Sequence, residues 1–193
     1  DVIMIFLFRW FDAILQALGL KNKQARILIV GLDNAGKSTL VHKLCTNEVR
    51  SFVPTIKAHS KTFTLGRIEF TAWDLGGHEQ VRDLWEEFYS NADAVVFMVD
   101  SADTQRFDEA KRELFQILES DELKSVPILI LGNKNDLEGS ESRDAIKDRL
   151  GLTKYMDGEA DDGDDERALE VFMCSLVSSS GYTEGFQWLS QHL

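Results

Sequence analysis

The chain alternates short apolar runs with longer segments in which apolar residues recur at helical spacing. The apolar runs predict strands near residues 26–31, 58–64, 68–73, 93–100, 126–132 and 169–174. The helical spacing predicts helices near residues 38–46, 79–89, 105–119, 141–150 and 182–192. A hairpin-like turn at residues 65–67 indicates that the second and third strands are antiparallel. We therefore expect one doubly wound α/β domain, with a six-stranded, mostly parallel sheet and helices on both faces.

A glycine-rich motif follows the first predicted strand. Residues 31–38, GLDNAGKS, fit the pattern G-x-x-x-x-G-K-[S/T] and are called the phosphate loop below. Backbone amides at a helix start bind phosphate oxygens. The predicted nucleotide contacts here are Asp33, Asn34, Ala35, Gly36, Lys37, Ser38 and Thr39. Lys37 is expected to reach the β- and γ-phosphates and the Ser38 hydroxyl to bind Mg²⁺. The Asp33 carboxylate must turn outward, because it would otherwise repel the phosphates.

A second motif predicts recognition of guanine. Asn133, Lys134 and Asp136 follow the apolar run at 126–132 and belong to residues 133–136, called the base loop below. The Asp136 carboxylate can accept hydrogen bonds from the ring N1–H and the exocyclic amine of guanine, a donor pair that adenine lacks. A polar loop with a helix-capping aspartate is the alternative. After the last strand, the amides of Ser175 and Leu176 are predicted to contact the guanine oxygen.

Residues 74–77 form a third motif, D-x-x-G, at the end of the third predicted strand. This position predicts that Asp74 lies near the Mg²⁺, through a water, and that the Gly77 amide approaches the γ-phosphate. Upstream, the hydroxyl of Thr55 is predicted to complete the Mg²⁺ shell; an ordinary turn residue is the alternative. The Gly76-Gly77 pair allows the loop to move when the γ-phosphate leaves.

Together these segments resemble the Ras-like small GTPases, and within them the Sar type of the Arf/Sar branch, which initiates the COPII coat. The resemblance rests on GLDNAGKST (31–39), VPT (53–55), DLGGHEQ (74–80), ILILGNKND (128–136) and VFMCS (171–175). It implies a single-domain P-loop small-GTPase fold over residues 21–193. It also implies hydrolysis of Mg²⁺-bound GTP to GDP and phosphate, slow without an activating partner. Residues 57–62 depart from the family pattern.

The same resemblance implies a setting for the protein. The GTP form would recruit COPII inner-coat subunits, one of them GTPase-activating, in ER-to-Golgi vesicle transport. A guanine-nucleotide exchange factor of the endoplasmic reticulum membrane would load it on the cytosolic face, with the Golgi as a further compartment. An Arf-like traffic GTPase with other effectors and a non-hydrolysing GTP-binding scaffold are the alternatives.

His78 is the implied catalytic residue, because it stands where Ras-type proteins place a glutamine that orients water. A neutral imidazole can do the same, and a surface histidine that begins a helix is the alternative. Neither the phosphate loop nor the surroundings of Thr55 contain an obvious catalytic arginine. Arg50 is the nearest candidate, so we expect a partner to supply the arginine.

The first twenty residues predict an amphipathic helix that lies in one membrane leaflet. In a helix, Arg9, Asp12 and Gln16 share one narrow polar stripe. The residues predicted to contact lipid are Ile5, Phe6, Phe8, Trp10 and Phe11. Because Arg9 and Asp12 interrupt the apolar run, an interfacial position is favoured over a span. A helix packed on the core, a secretory signal and a transmembrane anchor are the alternatives.

Composition limits the remaining possibilities. The 193 residues with 44% apolar content suit one core. Cys45 and Cys174 are too few for a disulfide framework, which favours reduced thiols. The net charge of −12 is concentrated in residues 157–166, with seven acids; a solvated loop is expected, and a calcium loop is an alternative that lacks the EF-hand order. No basic stripe is present, so nucleic-acid binding is not expected.

Overall fold

The computed structural model describes residues 23–50, 52, 59–65, 68–156 and 167–193. The predicted membrane helix, Thr55, the turn at 66–67 and the acidic segment 157–166 lie outside the described residues. The strands are β1 (Lys23–Gly31), β2 (His59–Leu65), β3 (Ile68–Asp74), β4 (Ala94–Asp100), β5 (Ile128–Asn133) and β6 (Leu169–Met173). The α-helices are α1 (Lys37–Thr46), α2 (Glu79–Arg82), α3 (Phe107–Glu119), α4 (Arg143–Leu150), α5 (Thr153–Met156) and α6 (Tyr182–Gln191).

The described strands form one sheet in the order β2-β3-β1-β4-β5-β6. All neighbouring pairs are parallel except β2 and β3, which are antiparallel. The prediction of a doubly wound, mostly parallel sheet with one antiparallel pair is therefore confirmed. The carboxyl ends of β1, β3, β4, β5 and β6 lie along the same edge, and the loops that carry the sequence motifs begin there. This is the edge at which sheets of this kind bind ligands.

Two apolar clusters cover the two faces of the sheet. On one face, Phe63 and Phe70 stack with ring centroids 5.3 Å apart, and Phe186 of α6 meets both rings edge-on. On the other face, Phe107 and Leu114 of α3 are fully buried against β1, β4 and β5. Every residue of β5 is buried, as the continuous apolar run predicts for a strand covered on both faces.

One predicted helix differs from the structure. The segment predicted as a single helix over 79–89 is a short α-helix, α2, followed by a 3₁₀ helix over Asp83–Asn91. In a 3₁₀ helix, residues three apart share a face. This geometry directs Trp85 and Phe88 to the same side, where Trp85 is buried and Phe88 contacts Trp73 with ring centroids 5.1 Å apart.

Short elements also went unpredicted: α5 and the 3₁₀ turns Thr104–Arg106 and Asp121–Leu123. They contain three or four residues each, which is too short for a periodic apolar pattern. Among the described helices, none has the length and apolar character that crossing a bilayer requires.

Candidate functional site

The phosphate loop turns sharply between β1 and α1 because its backbone enters the left-handed region. Gly31 and Gly36 have φ values of 130° and 104°, and Asn34 has φ 64°. A Cβ atom at Gly31 would lie 2.2 Å from the Met98 carbonyl oxygen of β4, so any other residue would clash with the neighbouring strand. The loop leads directly into the first turn of α1, where amide hydrogens lack partners within the helix. Its backbone therefore suits an anion.

Lys37 folds back over the phosphate loop. Its Nζ donates hydrogen bonds to the Gly31 carbonyl oxygen at 2.9 Å and the Leu32 carbonyl oxygen at 2.8 Å. The side chain is only 6% exposed, and burial lowers its pKa to about 8, although the charges of Asp74 and Asp33 act in the opposite direction. Burial disfavours the charged ammonium, so an anion bound in the loop would supply a counter-charge to this group.

Asp74, at the end of β3, and Ser38, in the first turn of α1, lie together and fit a Mg²⁺ site. Asp74 is buried and accepts a hydrogen bond from Ser38, and burial raises its pKa despite that bond and the nearby Lys37 charge. Its Oδ1 has no hydrogen-bond partner in the described part of the chain, an arrangement that is costly unless another group binds it. Mg²⁺ prefers oxygen ligands and usually keeps several waters, which suits one hydroxyl and one carboxylate.

Gly77 packs directly against the phosphate loop. Its carbonyl oxygen accepts hydrogen bonds from the Asp33 amide at 3.1 Å and from the Arg82 Nε at 2.8 Å. A Cβ atom at this position would lie 2.3 Å from the Asp33 nitrogen and 2.4 Å from the Lys37 Nζ. Only glycine therefore permits this approach. The preceding residue is also held, since the Trp85 Nε1 donates to the Gly76 carbonyl oxygen at 2.9 Å.

His78 follows Gly77 and is exposed to solvent immediately before α2. The Thr39 hydroxyl, at the other side of the phosphate loop, donates to the Arg50 carbonyl oxygen at 3.2 Å. The Arg50 guanidinium lies 6.0 Å from the ring centroid of Phe52. Arg50 therefore contacts an aromatic ring, as well as Thr39, in this structure.

The base loop is joined to the phosphate loop by the side chain of Asn133. Its Nδ2 donates to the Ala35 carbonyl oxygen at 2.9 Å, and its Oδ1 accepts from the Leu176 amide at 3.3 Å. The Cys174 thiol lies 3.8 Å from the same Oδ1. One buried amide thus connects loops that follow three different strands.

Asp136 is exposed at the rim of the base loop. It lies close enough to Cys174 that its charge, after the larger effect of burial, helps raise the pKa of that thiol to about 12. Lys134 has a left-handed backbone, with φ 66°, and its Nζ pairs with the Asp100 carboxylate at 2.5 Å. The predicted specificity group is therefore beside the segment of residues 174–176.

The two amides predicted to meet the guanine oxygen are engaged within the protein. The Ser175 amide donates to the Ser180 carbonyl oxygen at 3.0 Å, and the Leu176 amide donates to Asn133. A base oxygen would have to share these donors with their present acceptors.

Two arginines beside the phosphate loop escaped the sequence reasoning. Arg106 donates to the Asp33 carboxylate and carbonyl oxygen, both at 3.0 Å. Arg82 is buried and, besides Gly77, binds Glu109 at 2.7 Å and Glu113 at 3.0 Å. Both arginines are distant in sequence from Asp33. The available signal was Asp33 itself, because an acid in a phosphate-binding loop requires a cation nearby.

Comparisons with known proteins identify relatives over nearly the whole chain. The model of the ADP-ribosylation factor family matches residues 11–193. The small COPII coat GTPase SAR1 of Giardia intestinalis is 44% identical, over 95% of this chain and 97% of its own. The SAR1 protein of Nicotiana tabacum is 39% identical, over 98% of this chain and the whole of its own. ADP-ribosylation factor 3 of Arabidopsis thaliana is 41% identical, over 89% of this chain and 90% of its own.

A solved structure shares the fold. The Arl6 (BBS3) small GTPase of Trypanosoma brucei, with the bound nucleotide analogue GppNp, superposes with a TM-score of 0.76 at 31% identity. The match covers 88% of this chain and 96% of that one. The family model matches nearly the whole chain, and the sequence motifs of the chain lie at one edge of the sheet. The chain therefore belongs to the ADP-ribosylation factor family of small GTPases.

Proposed function

We propose that this protein is a Sar-type switch that hydrolyses GTP. In its GTP form it inserts its N-terminal helix in the endoplasmic reticulum membrane and recruits the COPII coat. The nucleotide part of the proposal is carried by one observation. The buried Asn133 side chain holds the phosphate loop against the base loop and residues 174–176. Phosphate-binding amides and a guanine-selective carboxylate then belong to one site rather than to separate loops.

The proposed ligand contacts follow from this geometry. The residues proposed to bind the nucleotide are Asp33, Asn34, Ala35, Gly36, Lys37, Ser38, Thr39, Gly77, Asn133, Lys134, Asp136, Ser175 and Leu176. Lys37 supplies the buried positive charge for the phosphates, and Asp136 supplies the acceptors for guanine. Ser38, Thr55 and Asp74 would hold Mg²⁺, which when bound neutralises charge on the phosphates.

Hydrolysis in this proposal depends on positioning. The phosphate loop and Lys37 orient the γ-phosphate, and the exposed imidazole of His78 orients a water for attack on the phosphorus, yielding GDP and phosphate. Arg82 and Arg106 are both bound to acidic side chains, so we expect the catalytic arginine to come from a partner.

The choice of the Sar type is supported by the extent of the similarity. The SAR1 relatives match 95% and 98% of this chain, whereas the ADP-ribosylation factor from Arabidopsis thaliana matches 89%. The proposed partners are COPII inner-coat subunits, including the GTPase-activating one, an exchange factor of the endoplasmic reticulum membrane, and lipids. An Arf-like traffic GTPase with other effectors is the second candidate, favoured by the 41% identity to that factor.

The membrane and coat parts of the proposal are tested together by liposome flotation. The full chain, loaded with a non-hydrolysable GTP analogue, is expected to float with phosphatidylcholine–phosphatidylethanolamine–phosphatidylinositol vesicles and to carry purified inner-coat subunits with it. Three samples are expected to stay in the soluble fraction. The GDP form withholds the apolar face of the helix, a form lacking residues 1–20 has no such face, and a Phe8→Ser/Phe11→Ser variant has a less apolar one.

Equal flotation of the full and shortened chains in the presence of the analogue would contradict the membrane role of residues 1–20. Flotation of the full chain without the inner-coat subunits would favour the Arf-like alternative.

Guanine selectivity is tested by Asp136→Asn. The asparagine NH2 replaces one acceptor of the carboxylate with a donor that faces a donor of guanine, and the remaining bond loses its charge. GDP affinity is therefore expected to fall by at least about a hundredfold. Affinity for xanthosine diphosphate is expected to rise, because xanthine has a carbonyl oxygen in place of the exocyclic amine of guanine, and this oxygen can accept from the new amide. Titration calorimetry measures both.

Glu138→Gln is the matched control, since Glu138 is another exposed acid beside the base loop. Equal GDP affinity of Asp136→Asn and wild type would remove Asp136 from the recognition of guanine.

The catalytic role of His78 is tested by single-turnover hydrolysis of preloaded GTP. His78→Gly is expected to slow the reaction by at least about tenfold, while GTP affinity stays within about twofold of wild type, because the imidazole orients water rather than binding nucleotide. Glu79→Gly, at the exposed neighbouring residue, controls for the added backbone freedom.

Unchanged turnover of His78→Gly, both alone and with an activating partner, would exclude His78 from the mechanism. If wild type retains GTP unhydrolysed under both conditions, the scaffold alternative replaces the enzyme.

A further inference from the structure

An acid in the phosphate loop is the feature that the proposed mechanism leaves unexplained. Asp33 lies between the left-handed Gly31 and Asn34, and its charge reaches the ammonium of Lys37, whose pKa it helps to raise against the larger effect of burial. A carboxylate at this position would oppose any phosphate that Lys37 attracts. The structure must therefore hold the carboxylate in place.

Arg106 binds Asp33 at two points. Its Nη1 donates to the Asp33 Oδ1 at 3.0 Å, and its Nη2 donates to the Asp33 carbonyl oxygen at 3.0 Å. The Nε is used by Asp103 Oδ2 at 2.6 Å. The planar guanidinium thus controls both the direction of the carboxylate and the backbone of the phosphate loop, which a single ammonium cannot do in the same way.

Arg106 is itself held by the fold. It directly precedes the fully buried Phe107, the first residue of α3. Arg149 of α4 lies over the Phe107 ring, 4.5 Å from its centroid, and donates to the Thr104 carbonyl oxygen at 2.8 Å. The residues before and after Arg106, Thr104 and Phe107, are therefore held by Arg149, and this fixes the segment from which the guanidinium reaches the phosphate loop.

The second nearby cation does not replace Arg106. The Nη2 of Arg82 is 3.9 Å from Asp33 Oδ1, beyond hydrogen-bond distance, and its guanidinium is bound to Glu109 and Glu113. Within the described ranges, Arg82 thus has two carboxylate partners other than Asp33, whereas Arg106 has one, Asp103. Arg106 alone among the described residues both hydrogen-bonds the Asp33 side chain and offsets its charge.

We propose that Arg106 is a positioning residue that sets the preference for GTP over GDP by holding the Asp33 carboxylate away from the γ-phosphate. The inference rests on the proposed function, because it requires guanine nucleotides to bind at this site. GTP carries one phosphate more than GDP, so a released carboxylate penalises GTP more. One unit charge acting over about 10 Å at an effective dielectric constant of about 20 changes an affinity roughly tenfold.

The test compares affinities for GDP and for the GTP analogue GppNHp in excess Mg²⁺. Arg106→Gln is expected to lower the ratio of analogue to GDP affinity by about tenfold. Adding Asp33→Asn removes the carboxylate charge and is expected to return the ratio to within about threefold of wild type, since the two residues act as a coupled pair. Arg112→Gln, at an exposed arginine of α3, is the control and is expected to leave the ratio unchanged.

An unchanged ratio in Arg106→Gln would overturn the inference. So would a lowered ratio that Asp33→Asn does not restore, because Arg106 would then act directly on the nucleotide or only on the fold. If Arg106→Gln shows no cooperative thermal unfolding, Arg106→Met, which also removes the charge but keeps an aliphatic stem, decides by the same criteria with and without Asp33→Asn. Absence of guanine-nucleotide binding by wild type would instead refute the proposed function, and with it the basis of this inference.

Discussion

The site depends on the side-chain amide of Asn133, which makes hydrogen bonds in two directions from the end of β5. Its Nδ2 holds the phosphate loop through Ala35, and its Oδ1 holds Leu176 after β6. Strand β4 separates β1 from β5, so backbone pairing within the sheet cannot join these loops. Because the amide is buried, loss of either bond would leave a polar group unpaired at a cost of about 1–3 kcal/mol. One side chain therefore joins the phosphate loop to the base loop and to the segment after β6.

A second constraint is electrostatic. Within the described residues, Lys37 is buried and hydrogen-bonds only to uncharged carbonyl oxygens. Asp74 is buried with one oxygen unpaired in the same part of the chain. The ammonium of Lys37 would meet a negatively charged phosphate, and the carboxylate of Asp74 would meet Mg²⁺. Arg82 adds a mechanical connection, because it binds the Gly77 carbonyl oxygen and two acids of α3 at once. Movement of the D-x-x-G loop must then break these bonds or move their partner groups along with the loop.

The strands and the motif positions were predictable because they depend on local sequence. Continuous apolar runs mark β4 and β5. The glycines of the phosphate loop mark positions where a Cβ atom has no room, because of the Met98 backbone at Gly31 and the Asn133 side chain at Gly36. The 3₁₀ helix over Asp83–Asn91 was not predictable, because the spacing of Trp85, Phe88 and Tyr89 suits an α-helix equally well. The long-range bonds of Arg106 and Asn133 were also hidden, because they join residues that are far apart in sequence.

We propose that the phosphate loop and the base loop form one guanine-nucleotide site. Calorimetric titration of the full chain with GDP and with ADP, in excess Mg²⁺, tests it most directly. We expect GDP to bind at least about a hundredfold tighter than ADP, because only guanine supplies both donors to a carboxylate. Equal affinity for the two nucleotides, or binding of neither, would contradict it.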